Sequence, residues 1–169
     1  MRRLWAEDTV DHDGEHFHYE GVSIGIRPPQ SSIDVWLGGR SPGELRRVGR
    51  VSDGWLPSFC TPAQVVDGRV IVEQAASDAG RAIDPEHFGA LVAYARTEIP
   101  EGYARARAQR NGIDAAAVVP IGLDALRARL DEFIAVGFSK LVVVPVEPVT
   151  SWAQELDDLA DTLLDLQRV

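Results

Sequence analysis

The residues of this sequence best suited to chemistry lie in one run, Val35-Trp36-Leu37-Gly38-Gly39-Arg40-Ser41-Pro42. A short apolar stretch ends in two glycines. A hydroxyl residue followed by proline then reads as the cap and first position of a helix. Glycine carries no Cβ, so backbone N–H groups can approach a ligand closely. A helix N-terminus adds unpaired N–H groups and a partial positive charge, which together suit an anion such as phosphate. Arg40 can contribute a charge-assisted hydrogen bond and Ser41 a hydroxyl. The same four residues, Gly38, Gly39, Arg40 and Ser41, also describe an ordinary capped turn between a strand and a helix.

Other reactive side chains are less well placed. His12, His16 and His18 stand among Asp11, Asp13 and Glu15, but zinc requires three or four converging ligands. Only His16 and His18 share a face of an extended run, so a solvated hairpin without a metal is expected. Cys60 is the one cysteine; no disulfide can form within the chain, and no histidine is placed to activate the thiol. Ser58, Phe59, Cys60 and Thr61 follow a strand end, where they can line a pocket. Arg96, Thr97 and Glu147 follow two later strand ends, where they either face a ligand or form salt bridges. Asp53 is expected to bond backbone or an arginine, and Trp55 to sit in the core. None of these is a candidate catalytic histidine or acid, and no catalytic residue is assigned.

Four strand–helix units position these residues. The first strand is read over 33–37, followed by a helix from Ser41-Pro42. The second is 54–58, followed by a helix from Thr61-Pro62 to Gly80, each start being a cap plus proline. The third strand is read over 88–97, with helices over 101–110 and 123–136 and a connection over 118–122. The fourth, Lys140 to Pro145, is a continuous apolar run, as expected for a strand buried on both faces. A last helix spans about 151–167. The lead-in, 5–32, contains Asp13-Gly14 turn chemistry and reads as a hairpin-like excursion ended by Pro28-Pro29. Alternating strands and helices with short connections predict an α/β fold with parallel strands in a single domain, 1–169.

Composition narrows the partners. The chain has 169 residues, a net charge of -9 and 45% hydrophobic residues. That acidity disfavours nucleic-acid binding, which needs clustered positive charge. No apolar run is long enough to cross a membrane. The charged start lacks the apolar stretch of a secretory signal, so a cytoplasmic setting is expected.

The order and spacing of several motifs resemble the bacterial luciferase-like monooxygenases and coenzyme F420-dependent oxidoreductases. The resemblance is carried by Leu4-Trp5, Val10, Gly14, Pro28-Pro29-Gln30 and the run from Val35 to Ser41. It continues through Arg47, Gly49-Arg50, Ser52-Asp53-Gly54-Trp55, Ala79-Gly80-Arg81 and the segment from Ala135 to Pro145. It implies a (β/α)8 TIM barrel with F420 or FMN at the C-terminal ends of its strands. Such barrels take roughly 250 residues, so the chain is expected to form the C-terminal half, its four strands matching strands five to eight. Carried over by position, Gly38, Gly39, Arg40 and Ser41 would hold the cofactor phosphate. The implied activity is flavin- or F420-dependent oxidation or reduction of a small-molecule substrate, by oxygen insertion or hydride transfer. A half-barrel also leaves apolar edges open. The alternative expectation is therefore a non-catalytic half-barrel that self-associates as a homo-oligomer or pairs with a separate chain supplying the missing half.

Overall fold

Ser41-Pro42 and Thr61-Pro62 each start a helix in the computed structural model, which describes residues 1–30 and 32–167. Ser31, within the lead-in, lies outside the described residues. The chain forms two units, 1–35 and 36–169.

The first unit holds a short helix α1 (Arg2–Ala6) and an antiparallel hairpin of β1 (Val10–Asp13) and β2 (His18–Val22). Asp13 pairs with His18 and His12 with Tyr19 in the ladder, with an irregularity between Val10 and His12. The Asp11 carboxylate accepts the Gly21 N–H at 2.6 Å, and the Asp13 and His18 side chains are hydrogen-bonded to each other. The expected hairpin is present; α1 was not anticipated, because five residues give too little periodicity to read.

The second unit begins with β3 (Trp36–Leu37), α2 (Pro42–Val51), β4 (Gly54–Trp55) and α3 (Pro62–Asp78). It continues with β5 (Gly89–Tyr94), α4 (Glu101–Asn111), α5 (Ala115–Val118), α6 (Leu123–Ala135), β6 (Lys140–Pro145) and α7 (Trp152–Leu163). All strand pairs are parallel. β3 pairs with β4, and β5 with β6 from Gly89↔Lys140 to Tyr94↔Pro145. Isolated bridges at Trp55↔Phe88 and Ser58↔Leu91 join β4 to β5, giving the order β3-β4-β5-β6.

Three strands are shorter than their sequences suggested. Residues 33–35 lie outside the ladder, which begins where Trp36 meets Gly54. The run 54–58 is broken at Pro57, which has no N–H to donate; its carbonyl still accepts from the Leu91 N–H at 2.9 Å. β5 stops at Tyr94, after which Ala95 bridges Ile121 instead. The segment 115–118 closes one helical turn, α5, with the Asp114 side chain accepting the Ala116 N–H at 3.0 Å.

The core fills the layer between sheet and helices. Val48 from α2, Val65 and Val72 from α3, and Leu126 and Phe133 from α6 pack with Val92 and Tyr94 of β5. Trp55, Phe88, Phe133 and Phe138 form an aromatic group with ring centroids 5.8 to 6.1 Å apart in the Trp55–Phe138, Phe88–Phe138 and Phe133–Phe138 pairs. The Arg69 guanidinium stacks 4.1 Å from the centroid of Phe88 and donates to the Gly137 carbonyl at 3.1 Å.

β6 departs from expectation in its burial. Its apolar sequence predicted burial on both faces, but exposure alternates along it. Leu141 and Val143 pack on the helix-covered core, whereas Val142 is 44% and Val144 38% exposed. Successive strand residues point to opposite faces. At Val142 and Val144 one of those faces carries no covering layer among the described residues. On that same face of β5, Ala93 is buried under α4 and α5 with Ile113, Ala115 and Val118.

Candidate functional site

The turn 38–41 lies at the C-terminal end of β3, the end at which ligands bind in parallel α/β sheets. Its glycines are there for space and conformation. Gly39 has φ +117°, and a Cβ on it would fall 2.5 Å from Cβ of Glu44. A Cβ on Gly38 would approach the Leu56 carbonyl to 3.3 Å. Ser41 caps α2, its hydroxyl accepting the Glu44 N–H at 3.4 Å.

Glu44 completes the arrangement. Its Oε2 accepts the N–H of Arg40 and the N–H of Ser41, each at 2.9 Å. Two backbone donors thus converge on a single anionic oxygen at a helix N-terminus, with the Glu44 carboxylate as the anion. The Ser41 and Arg40 N–H groups, with the Ser41 hydroxyl, hold the Glu44 carboxyl down at about 2. Glu44 was not among the residues singled out from the sequence, although the Ser-x-x-Glu spacing of a capping box announces it.

Trp55 has a second role besides filling the core. Its Nε1–H donates to the Gly39 carbonyl at 3.1 Å. The carbonyl of Gly39 and the N–H of Arg40 belong to one trans peptide and point in opposite directions. Anchoring the carbonyl to the buried indole therefore turns the Arg40 N–H away from Trp55, toward Glu44. This contact spans sixteen positions, and nothing local in the sequence signals it.

The Arg40 side chain does not join the two N–H groups. Its Nη1 donates to the Phe59 carbonyl at 2.9 Å, tying the turn after β3 to the loop after β4. Phe59 holds φ 56°, an uncommon value for a residue with a side chain. The Arg107 guanidinium lies 4.1 Å from the centroid of its ring. Burial pushes the Cys60 thiol up, with Arg40 opposing in part, so the thiol is a poor nucleophile. Arg40, Ser41, Trp55, Cys60, Gln64 and Asp67 are among the walls of a cavity of about 510 Å³ between the turn and α3.

A second cavity, about 340 Å³, opens at the C-terminal ends of β5 and β6. Arg96, Thr97 and Glu147 line it, with Ser151 and Glu155 at the start of α7. The Arg96 N–H donates to Glu147 at 3.0 Å, and its guanidinium pairs with Glu155 at 3.4 Å and with Asp158. Glu155 is buried and accepts the Tyr94 hydroxyl at 2.5 Å. Burial first, then that hydrogen bond, pushes the Tyr94 phenol up, so it stays a donor. One guanidinium, Arg96, stands here against the three carboxylates Glu147, Glu155 and Asp158, so this wall is net negative although each carboxylate has a hydrogen-bond or ion-pair partner.

Asp53 meets Arg81 at 3.3 Å, the arginine partner expected from the sequence; Arg81 also donates to the Gly49 and Ser52 carbonyls at 3.1 and 2.6 Å. Among the described residues no group of three or more His, Cys, Asp or Glu converges as metal ligands would. No helix among them is long and apolar enough to cross a membrane.

Comparison with known proteins places this geometry in a family. The model of the luciferase-like monooxygenases matches residues 1–141. A sulfoquinovose monooxygenase of Agrobacterium fabrum is 34% identical over 87 residues, 50% of this chain and 23% of that protein. An F420-dependent glucose-6-phosphate dehydrogenase of Nocardia farcinica is 29% identical over 86 residues, 50% of this chain and 25% of its own length. The coenzyme F420-dependent tetrahydromethanopterin reductase of Methanopyrus kandleri superposes with a TM-score of 0.72 at 16% identity, covering 99% of this chain and 60% of that one. The curated relatives are thus matched over about a quarter of their length, and the solved structure over rather more than half. The chain belongs to the luciferase-like monooxygenase family.

Proposed function

We propose that this chain supplies the cofactor-phosphate part of an F420- or FMN-dependent oxidoreductase, with Gly38, Gly39, Arg40 and Ser41 as the phosphate-binding turn. The observation that carries the reading is the pair of N–H groups, from Arg40 and Ser41, meeting at one carboxylate oxygen at a strand C-terminus. An arrangement that holds one anionic oxygen of Glu44 can hold one of a phosphate. Gly39 keeps the approach free of a Cβ. Trp55 fixes the peptide that aims one donor. The Arg40 guanidinium acts by bracing the neighbouring loop, since it is committed to Phe59.

When bound, the cofactor supplies the redox chemistry, by hydride transfer or oxygen insertion on a small-molecule substrate. This chain's own residues bind and orient it. The F420-dependent glucose-6-phosphate dehydrogenases among its relatives support F420 as the first cofactor to try. Titrating the purified chain with each cofactor, followed by fluorescence, tests the reading. Saturable binding in the micromolar range is the expected result, tighter for F420. Absence of binding by either cofactor at high micromolar concentration overturns the reading for this chain.

A second reading rests on a different observation. Val142 and Val144 expose an apolar sheet face at the end of the strand order. The solved relative extends well beyond the portion this chain covers. On this reading the chain corresponds to strands five to eight of a barrel, and the open face receives either a second copy or the remaining strands of the barrel.

A further inference from the structure

We propose that two copies of this chain close on each other edge to edge, with β6 and α7 of one against β3 and α2 of the other, twice about a two-fold axis. This arrangement rests on the reading of the chain as strands five to eight and names what covers its open face.

The order β3-β4-β5-β6 ends in two strands whose outer sides meet no further strand among the described residues. Soluble proteins cover such edges. All four strands are parallel, so a two-fold rotation about the axis they surround sets β6 of one copy beside β3 of the other in the same direction. The two joints are then identical, and Val142 and Val144 fall inside the closed sheet.

The helices at the two ends carry matching flanks. Arg127 of α6 holds one flank of α7, at the Thr162 carbonyl. Trp152 and Leu156, one turn apart on the other flank, are both 58% exposed. Leu159 and Leu163 beside them are only half-buried. On α2, Gly49 faces α3, and Arg47 and Val51 lie on the opposite flank, both exposed.

Charge decides which helix meets which. α7 holds Glu155, Asp157, Asp158 and Asp161 and no Lys or Arg. α2 holds Arg46, Arg47 and Arg50 against Glu44 alone. Arg50, Asp157 and Asp161 are exposed and form no ion pair among the described residues. Setting α7 against α7, or α2 against α2, brings like charges together. Setting α7 against α2 brings Asp157 and Asp161 to a basic helix and Trp152 to its guanidinium groups.

The test is sedimentation equilibrium of the full chain, with far-UV circular dichroism to report the fold of each variant. Wild type should be a dimer. Asp157→Arg with Asp161→Arg, and separately Arg47→Glu with Arg50→Glu, should each raise the dissociation constant on the order of tenfold. An equal mixture of the two variants should recover the wild-type value, because both joints of the mixed dimer again bring opposite charges together. A dimer that neither pair of substitutions weakens, or that mixing does not restore, overturns this arrangement and leaves pairing through the β6 face standing. A monomeric wild type overturns the arrangement and the pairing of copies together, and assigns the open face to the remaining strands of the barrel.

Discussion

Glu44 is held ionised far below its ordinary range by the Ser41 and Arg40 N–H groups and the Ser41 hydroxyl, at about 2 against 4.5. A carboxyl whose folded value is depressed contributes stability that is complete above its unfolded value. That contribution falls away as pH drops from about 4.5 through 2. Glu44→Gln has no such titration. Thermal melts between pH 6 and pH 2 should show wild type losing part of its advantage over Glu44→Gln in the window below 4.5. A difference in melting temperature that is constant across this range would rule out the depressed carboxyl. The exposure of the side chain keeps the effect modest, because solvent screens charges at the surface. At this scale the sequence was half legible. Ser41-Pro42-Gly43-Glu44 states the cap and the capping box within one turn. The hydrogen bond from Trp55 to Gly39 does not show, because its partners are far apart in the chain.

Helices α2 and α3 meet where Gly49 faces Ala75 and Ala76. A Cβ at Gly49 would fall 2.8 Å from both the Ala75 Cβ and the Ala76 nitrogen, and nearer still to the Val72 carbonyl. The approach brings Val48 of α2 and Val72 and Ala76 of α3 into one core. Arg81 reaches back to the carbonyls of Gly49 and Ser52, where its charge complements the negative end of α2. Gly49→Ala must force the helices apart, an overpacking that costs about 1–3 kcal/mol. Urea unfolding should show a lower midpoint with an unchanged slope. A variant as stable as wild type would mean that the contact is not close. From the sequence, Gly49 is an unfavourable residue inside a helix; only the neighbouring helix explains its use.

At the scale of the molecule, parallel strands put both cavities at one end of the sheet, the C-terminal end at which α/β proteins bind ligands. The open face of β6 is the other large-scale feature. Val142 and Val144 expose neighbouring apolar side chains on it, and exposed apolar surface that is contiguous is a common mark of an interaction site. If this face is an interface, light scattering should show a dimer or larger species, and Val142→Lys combined with Val144→Lys should reduce it to a monomer with the fold intact. Both side chains point away from the helix-covered core, so the change should cost roughly 0.5 kcal/mol or less in the monomer. A wild-type chain already monomeric would overturn the pairing.

Local chemistry determined where helices begin and end. A hydroxyl cap, a proline and a reaching glutamate or glutamine act within three or four residues, as at Ser41 to Glu44 and Thr61 to Gln64. The glycines at 80, 112 and 137 adopt left-handed φ at helix ends by the same local logic. The apolar run from Lys140 to Pro145 fixed a strand with its ends correct. The tertiary structure decided the rest, because a ladder hydrogen bond needs a partner that the local sequence does not name. It shortened β3 to Trp36–Leu37 and passed the end of β5 to Ile121. It also left half of β6 uncovered, since burial depends on what packs above a side chain as much as on its own type.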